Sequence, residues 1–177
     1  MPFHAYQELT LLDYPNHLAC IVFFHGCPFR CPYCHNPSLV LPSYALDKKT
    51  FLEKEKEFFS FLEKRNHILD GVVITGGEPL KCSSLNSFLQ RIKNQNLLIK
   101  MDTNGAYPKP LATLIKKGLI DYVALDFKAN LNNYSKTINA SQKMAHTYYE
   151  HFLQTLKLLD ESSIDFEIRT TLIQEIH

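Results

Sequence analysis

Residues 18–34 read Leu18-Ala19-Cys20-Ile21-Val22-Phe23-Phe24-His25-Gly26-Cys27-Pro28-Phe29-Arg30-Cys31-Pro32-Tyr33-Cys34. The first seven residues form a continuous apolar run, which is typical of a strand buried on both faces of a parallel sheet. A loop with three cysteines follows this run directly. The segment therefore predicts a central strand that delivers a group of thiols to one edge of the sheet.

Four further segments are typical of strands, and helical patterns of apolar residues lie between them. The strand segments are residues 71–75, 97–101, 122–125 and 164–172. Asp47 is a cap candidate for the first helix, and Gly118 closes a short helix at residues 110–117. The other helical stripes contain Phe51, Leu52, Phe58, Phe59 and Leu62, then Leu85, Phe88, Leu89 and Ile92, and then Tyr149, Phe152, Leu153 and Leu156. Strands that alternate with helices predict βαβ units and a parallel sheet, either in an open layer or in a complete or partial (β/α) barrel.

The length of 177 residues suits one domain with a substantial core. We expect an N-terminal extension at residues 1–17 and one α/β domain at residues 18–177. The chain ends at His177 soon after the last strand segment, and no sixth strand follows. Because this would leave a bare sheet edge, we expect a partial (β/α) barrel with a parallel sheet, truncated before its last strand.

The charges nearly cancel, with 19 Lys and Arg against 18 Asp and Glu. This balance gives no general electrostatic attraction to nucleic acid or to an anionic membrane, so we expect neither as a partner. The start of the chain has no basic segment followed by an apolar one, and the longest early apolar run is too short to cross a bilayer. Five cysteines, three of them in one loop, argue against a secreted disulfide framework, and we read Cys20 and Cys82 as ordinary small residues. We therefore expect a cytoplasmic protein.

The spacing of Cys27, Cys31 and Cys34 allows the loop to fold around a compact metal centre. Three thiolates can hold an iron–sulfur cluster and leave one iron without a protein ligand, where chemistry can occur. The alternative is structural zinc, for which His25 or His35 would complete a set of four ligands. Zinc cysteines usually come as two C-x2-C pairs, and the sequence has no second pair, so the spacing favours the cluster.

Polar or glycine-rich residues follow the strand segments. They are Gly76-Gly77-Glu78-Pro79, Asp102-Thr103-Asn104-Gly105, Asp126-Phe127-Lys128 and, within the last segment, Arg169. Taken singly, each has an ordinary explanation as a tight turn, a cap or an ion pair. Because the carboxyl ends of parallel strands meet at one edge of a sheet, we expect these residues to surround one cavity together with the cysteine loop.

The C-x3-C-x2-C spacing, with Tyr33 before the last cysteine and a Gly-Gly-Glu-Pro after the next strand, resembles the radical S-adenosylmethionine enzymes. Further segments resemble the branch that activates glycyl-radical enzymes, most closely the anaerobic ribonucleoside-triphosphate reductase activating proteins. These segments are Thr10-Leu11-Leu12-Asp13-Tyr14-Pro15, Cys31-Pro32-Tyr33-Cys34-His35-Asn36-Pro37, Asp102-Thr103-Asn104-Gly105 and Leu125-Asp126-Phe127-Lys128. The resemblance covers the chain from about Tyr6 to its end.

The resemblance implies a 4Fe-4S cluster on the three loop cysteines, with S-adenosylmethionine chelating the fourth iron. Gly76, Gly77 and Glu78 would hold the amino group of that cofactor, and Tyr33 would contact its adenine through the backbone. Arg169 would pair with the carboxylate.

Further contacts follow by the same analogy. Asp126 and Lys128 match a family Asp-x-Lys that meets the ribose and methionine ends of S-adenosylmethionine, with His35 and Phe127 as adjacent cofactor contacts. Asp102, Thr103 and Asp126 would border a monovalent cation.

The implied reaction is anaerobic: one electron cleaves S-adenosylmethionine, and the deoxyadenosyl radical takes a hydrogen from a glycine of a partner enzyme. The expected partner is the anaerobic ribonucleotide reductase, and the expected electron donor is a flavodoxin or ferredoxin. Two alternatives stay open at this point. One is radical chemistry on a small molecule, as in the deazaguanine synthases, and the other is a zinc-stabilised binding module without catalysis.

Overall fold

A computed structural model describes residues 3–174, which contain one six-stranded sheet. The strands are β1 Phe3–Thr10, β2 Ala19–Phe24, β3 Gly71–Gly76, β4 Leu98–Thr103, β5 Tyr122–Asp126 and β6 Asp165–Arg169. They follow one another across the sheet in chain order. Strands β2 to β6 are parallel, and β1 pairs antiparallel with β2. The sheet stays open between β1 and β6, which confirms the predicted α/β fold with a partial barrel and a parallel sheet.

Five helices connect these strands. They are α1 Lys48–Arg65, α2 Leu85–Lys93, α3 Pro108–Lys116, α4 Leu131–Ile138 and α5 Gln142–Asp160. Asp47 caps α1 as predicted, since its Oδ1 accepts hydrogen bonds from the backbone N–H of Lys49 and Thr50 at 2.9 and 3.0 Å. The sequence analysis does not predict α4, which is short and carries several polar residues. Asn130 caps this helix by accepting from the N–H of Asn133.

Strand β1 is also not predicted from the sequence. The predicted boundary at residue 17, between an N-terminal extension and the α/β domain, falls between β1 and β2 of the same sheet. The pairing of β1 with β2 shifts register twice, between Phe3 and Ala5 and between Gln7 and Thr10. These irregularities break the alternation of buried and exposed side chains on which recognition of a strand depends. Residues 175–177, the end of the predicted domain, lie outside the described residues.

One face of the sheet packs against the helices and forms the main core. Completely buried residues such as Val22, Ile74 and Met101 point to this side. The opposite face carries a smaller cluster around Tyr14 and Ile21. Within residues 3–174, no helix has the length and apolar character needed to span a membrane. The arrangement leaves the carboxyl ends of β2 to β6 along one rim of the open barrel.

Candidate active site

A cavity of about 590 Å³ opens at this rim. It is lined by residues from the ends of all five parallel strands. Thirteen of the fourteen predicted site residues belong to the lining, namely Cys27, Cys31, Tyr33, Cys34, His35, Gly76, Gly77, Asp102, Thr103, Asp126, Phe127, Lys128 and Arg169. The topology therefore brings together the side chains that the sequence analysis selected one segment at a time.

Main-chain pairing between β2 and β3 continues past the ends of both strands and fixes the start of the cysteine loop. The N–H of Gly77 donates to the carbonyl of Phe24 at 2.8 Å, and the N–H of Glu78 donates to that of Gly26 at 2.9 Å. A Cβ on Gly77 would lie 2.5 Å from the carbonyl oxygen of Gly26. Only glycine allows the two backbones to approach this closely at Gly77.

The three loop thiols are free, and Cys27 is the most deeply buried of them. The Sγ of Cys27 accepts from the backbone N–H of Phe29 at 3.4 Å and from the Nδ2 of Asn104 at 3.6 Å. Burial raises the pKa of Cys27 to about 12 and also raises the pKa of Cys31. Cys27 and Cys31 therefore keep their protons in the metal-free protein, and binding of a metal centre must release them.

Helix α4 packs against the cysteine loop and is hydrogen-bonded to it. The carbonyl of Ile138, at the end of this helix, accepts from the N–H of Arg30 at 3.0 Å. One turn earlier, Tyr134 is completely buried, and its ring lies 6.2 Å from that of Phe29. Tyr134 is not predicted as a site residue, because the sequence pattern predicts no helix at residues 131–138.

Glu78 is the predicted site residue that does not line the cavity, because its side chain is buried behind the wall. Its carboxylate accepts from the N–H of Leu80 at 3.1 Å, from the hydroxyl of Thr103 at 3.0 Å and from the N–H of Asn104 at 2.8 Å. Burial raises the pKa of Glu78 to about 7, although these donors act in the opposite direction. The carboxylate thus ties the end of β3 to the end of β4.

The far wall of the cavity carries alternating charges. Asp126 accepts from Lys128 at 3.0 Å and from the Nε and Nη2 of Arg169 at 3.1 Å each. Arg169 also donates to the Oδ2 of Asp102 at 3.3 Å, whereas the buried Oδ1 of Asp102 has no hydrogen-bond partner among the described residues. This wall offers both cationic and anionic groups to a ligand with an amino acid end.

A second ion pair lies deeper on the same face and was not predicted. The Nζ of Lys100 donates to Glu167 at 2.9 Å and lies 4.0 Å from Asp102. Lys100 belongs to β4 and Glu167 to β6, and the strand between them presents Ala124 at the level of both Asp102 and Glu167. The small side chain of Ala124 leaves space for the charged groups to meet above it. A lysine inside the apolar strand segment is the signal that could have revealed this pair.

Other lining residues also escaped the sequence analysis as site residues. Asn104 and Asn36 lie within motifs that it quoted, whereas Thr75 and Thr170 gave no separate signal. Asp13 reaches the cavity from the loop between β1 and β2, where it accepts a short hydrogen bond from the hydroxyl of Thr10.

The donor set fits an iron–sulfur cluster better than a single metal ion. Among residues 3–174, no group of three or more His, Cys, Asp or Glu side chains is placed to hold one ion. A zinc ion binds sulfur at roughly 2.3 Å and draws its ligands to one point. The three loop thiols line one cavity, as a centre bound by all three of them requires. The hydrogen bonds to the Sγ of Cys27 are of the kind that sulfur ligands of such centres accept.

Comparison with protein families gives one match over most of the chain. Residues 21–176 match the model of the radical SAM superfamily, where SAM denotes S-adenosylmethionine. A protein of Methanocaldococcus jannaschii, MJ1227, whose name describes a glycyl-radical enzyme activating enzyme, is 30% identical over 96% of this chain and 67% of its own length. The pyruvate formate-lyase-activating enzyme of Clostridium pasteurianum is 30% identical over 71% of this chain and 51% of its own length. The chain thus spans about half to two thirds of these relatives.

Solved structures with the same fold include QueE from Escherichia coli, with a TM-score of 0.56 and 16% identity over 98% of this chain and 84% of QueE. A structure of TYW1 with a lysine-pyruvate adduct bound gives a TM-score of 0.57 and 18% identity over 90% of this chain and 56% of TYW1. These likenesses show a shared architecture.

Proposed function

Because this chain belongs to the radical SAM superfamily and is homologous to glycyl-radical enzyme activating enzymes, we propose that it installs a glycyl radical on a partner enzyme. The observation that carries the proposal is one cavity lined by the three loop thiols, by Gly76 and Gly77, and by the charged wall around Arg169. The family implies a 4Fe-4S cluster and S-adenosylmethionine, and this cavity provides residues for both.

We assign the cluster to Cys27, Cys31 and Cys34. When bound, the cluster would supply the electron that splits S-adenosylmethionine, and the resulting deoxyadenosyl radical would take a hydrogen from the target glycine. The protein supplies position and electrostatics. The buried Cys27, whose Sγ accepts from two N–H donors, would hold the centre together with Cys31 and Cys34.

The remaining residues hold the cofactor. The backbone of Gly76 and Gly77 receives the methionine amino group, and Glu78 supports this backbone from behind. Arg169 receives the carboxylate, and Asp126 with Lys128 receives the ribose and methionine ends.

Five further residues complete the proposed site. Tyr33, His35 and Phe127 border the adenosine, and Tyr33 does so through its backbone. We also propose that Asp102, Thr103 and Asp126 border a monovalent cation. The Oδ1 of Asp102, which accepts no hydrogen bond and lies 4.0 Å from the Nζ of Lys100, is the candidate ligand.

The first test is cofactor cleavage. Protein reconstituted anaerobically with iron and sulfide, then reduced, should convert S-adenosylmethionine to deoxyadenosine and methionine in equal amounts. Stoichiometric zinc without iron or sulfide in protein purified without oxygen would contradict the proposal.

We propose the anaerobic ribonucleoside-triphosphate reductase as the partner, reduced flavodoxin or ferredoxin as the donor, and the cytoplasm as the location. The segment from Thr10 to Pro15, which resembles a segment of the activating proteins of that reductase, supports a protein partner. It exposes Leu11 and Leu12 to solvent at 72% and 92% and places Asp13 in the cavity lining. The pyruvate formate-lyase activating relatives make pyruvate formate-lyase the competing partner.

Electron paramagnetic resonance distinguishes the two partners. Incubation with the reductase should give a glycine-centred doublet on the reductase, whereas incubation with pyruvate formate-lyase should give none. A doublet that appears only on pyruvate formate-lyase would reassign the partner and leave the activase reaction intact.

A further inference from the structure

Tyr134 on α4 has a buried hydroxyl without a hydrogen-bond partner. The residue is 0% exposed, and within the described residues its Oη finds neither donor nor acceptor. A buried hydroxyl left without a partner destabilises the folded protein. A phenylalanine would pack there without this cost. The hydroxyl therefore calls for an acceptor that the protein chain itself does not provide.

The surroundings of Tyr134 identify the region in which that acceptor lies. The ring packs in the small cluster that contains Cys27 and Phe29, against which Cys31 and Cys34 also pack. Burial raises the pKa of Tyr134, and Cys31 is the first of the neighbouring groups that raise it further. The end of α4 is also bonded to the cysteine loop through Ile138.

Sulfur is the acceptor that this location offers. Once the loop holds an iron–sulfur cluster, its cysteine and inorganic sulfur atoms are negatively polarised and accept hydrogen bonds, and such bonds help to set the reduction potential. The other neighbours are aromatic residues, with Tyr149 at 5.3 Å and Phe29 at 6.2 Å between ring centroids and with Tyr33 nearby. The hydroxyl of Tyr134 bonds to neither of the two tyrosine hydroxyls.

We propose that the Tyr134 hydroxyl donates a hydrogen bond to a sulfur atom of the iron–sulfur cluster held by the loop cysteines. This proposal rests on the proposed function, since it requires the cluster. The bond stabilises the more negative, reduced form of the cluster, so it raises the reduction potential. It also retains the cluster, as partners of metal ligands do elsewhere. Tyr134 is thus a positioning residue, because it acts on S-adenosylmethionine only through the cluster.

The test compares three proteins after anaerobic reconstitution. Tyr134→Phe removes only the hydroxyl, and Tyr149→Phe makes the same change on the adjacent, partly exposed ring of α5. The third protein is the wild type. Redox titration followed by electron paramagnetic resonance should give a lower midpoint potential for Tyr134→Phe and an unchanged one for Tyr149→Phe. Tyr134→Phe should also lose iron to a chelator roughly tenfold faster.

A second substitution gives a shift in the opposite direction. A fluorinated tyrosine at position 134 keeps the ring and has a more acidic hydroxyl, which is a stronger donor. Its cluster should therefore have a higher midpoint potential than the wild type. This variant also covers the case in which Tyr134→Phe does not fold, which thermal unfolding of the metal-free proteins reveals.

Equal midpoint potentials in the wild type and in whichever position-134 variants fold would overturn the proposal. The same holds if Tyr149→Phe shifts the potential as much as Tyr134→Phe. These outcomes differ from failure of the proposed function, in which the wild type itself would bind no iron and sulfide.

Discussion

Asp102 shows how a single carboxyl group couples stability to pH. Burial raises its pKa from 3.8 to about 6, against the opposing effect of Arg169 and Lys100. Between these two pH values the folded protein binds more protons than the unfolded chain, so the free energy of unfolding falls as the pH rises. Asp102→Asn removes the charge and should reduce this fall by on the order of 2 kcal/mol.

Urea unfolding of the metal-free protein at a series of pH values from 4 to 7 measures this effect. Glu78, with a pKa raised to about 7, remains in both proteins and should preserve part of the fall. Identical pH profiles of the wild type and Asp102→Asn would contradict the assignment.

The cysteines provide a second test at the level of single residues. Cys31 lines the cavity, whereas Cys82 lies outside it, at the end of a short 3-10 helix formed by Pro79–Lys81. Cys31→Ala should abolish the visible absorption of the reconstituted cluster, and Cys82→Ala should leave it intact, because only the first removes an iron ligand. Equal loss of absorption in the two variants would mean that the ligands are wrongly chosen.

At the level of elements, the contact between the ends of β2 and β3 depends on Gly77. Its φ angle is not positive, so the requirement for glycine comes from the nearby carbonyls of Gly26 and Leu39. Gly77→Ala should lower the free energy of unfolding by about 2 kcal/mol through overpacking. It should also weaken iron binding, because the cysteine loop starts at this contact.

Gly118→Ala is the matched control for this substitution. Gly118 has a φ of +63° and open space around its Cα, so an added methyl group meets only backbone strain. Its cost should be about 1 kcal/mol, with full iron binding. If both variants lose iron equally, the close approach at Gly77 has no specific effect on the loop.

The ion pair between β4 and β6 should respond unequally to removal of its two partners. The side chain of Lys100 is 3% exposed and that of Glu167 is 35% exposed. Glu167→Gln leaves the buried ammonium with Asp102, at 4.0 Å, as its remaining carboxylate partner and should cost roughly 3 kcal/mol. Lys100→Met replaces the buried charge by an apolar group of similar length and should cost much less.

Thermal and urea unfolding of the two single variants and of the double variant measure this asymmetry. The double variant should resemble Lys100→Met. A larger loss for Lys100→Met than for Glu167→Gln would show that Lys100 contributes more through its packing than through its charge.

At the level of the whole molecule, the open barrel leaves β6 with an unpaired edge among the described residues. Ile168 lies on this edge strand and is 52% exposed. The unpaired N–H and C=O groups of an edge strand can pair with another copy of the chain, and an exposed apolar side chain on that strand favours such association. Ile168→Lys should therefore reduce concentration-dependent light scattering while leaving Tm nearly unchanged. Unaltered scattering would place the contact elsewhere.

The sequence predicts most of this architecture because five apolar strand segments alternate with clear helical stripes. Strand β1 and helix α4 escape prediction for physical reasons: the register of β1 is irregular, and α4 is short and polar. Both are held by tertiary contacts, which a local pattern does not contain.

The cavity residues are predictable because each lies at a strand end or within a motif. The residues that support them are different. Tyr134 supports the cysteine loop from α4, a helix that the sequence pattern does not predict. Ala124 supports the ion pairs because its side chain is small. Lys100 and Glu167 meet across β5, where Ala124 lies level with Glu167, and this register is a property of the assembled sheet.

The main-chain bonds between the ends of β2 and β3 have a consequence for maturation. They anchor the first thiol to the sheet without help from any metal, unlike zinc fingers, whose fold forms only around the ion. Iron and sulfide are then inserted into a protein that is already folded. A carrier protein that transfers a preassembled cluster needs access only to the opening of the cavity. A protein that has lost its cluster through oxidation should regain it without refolding.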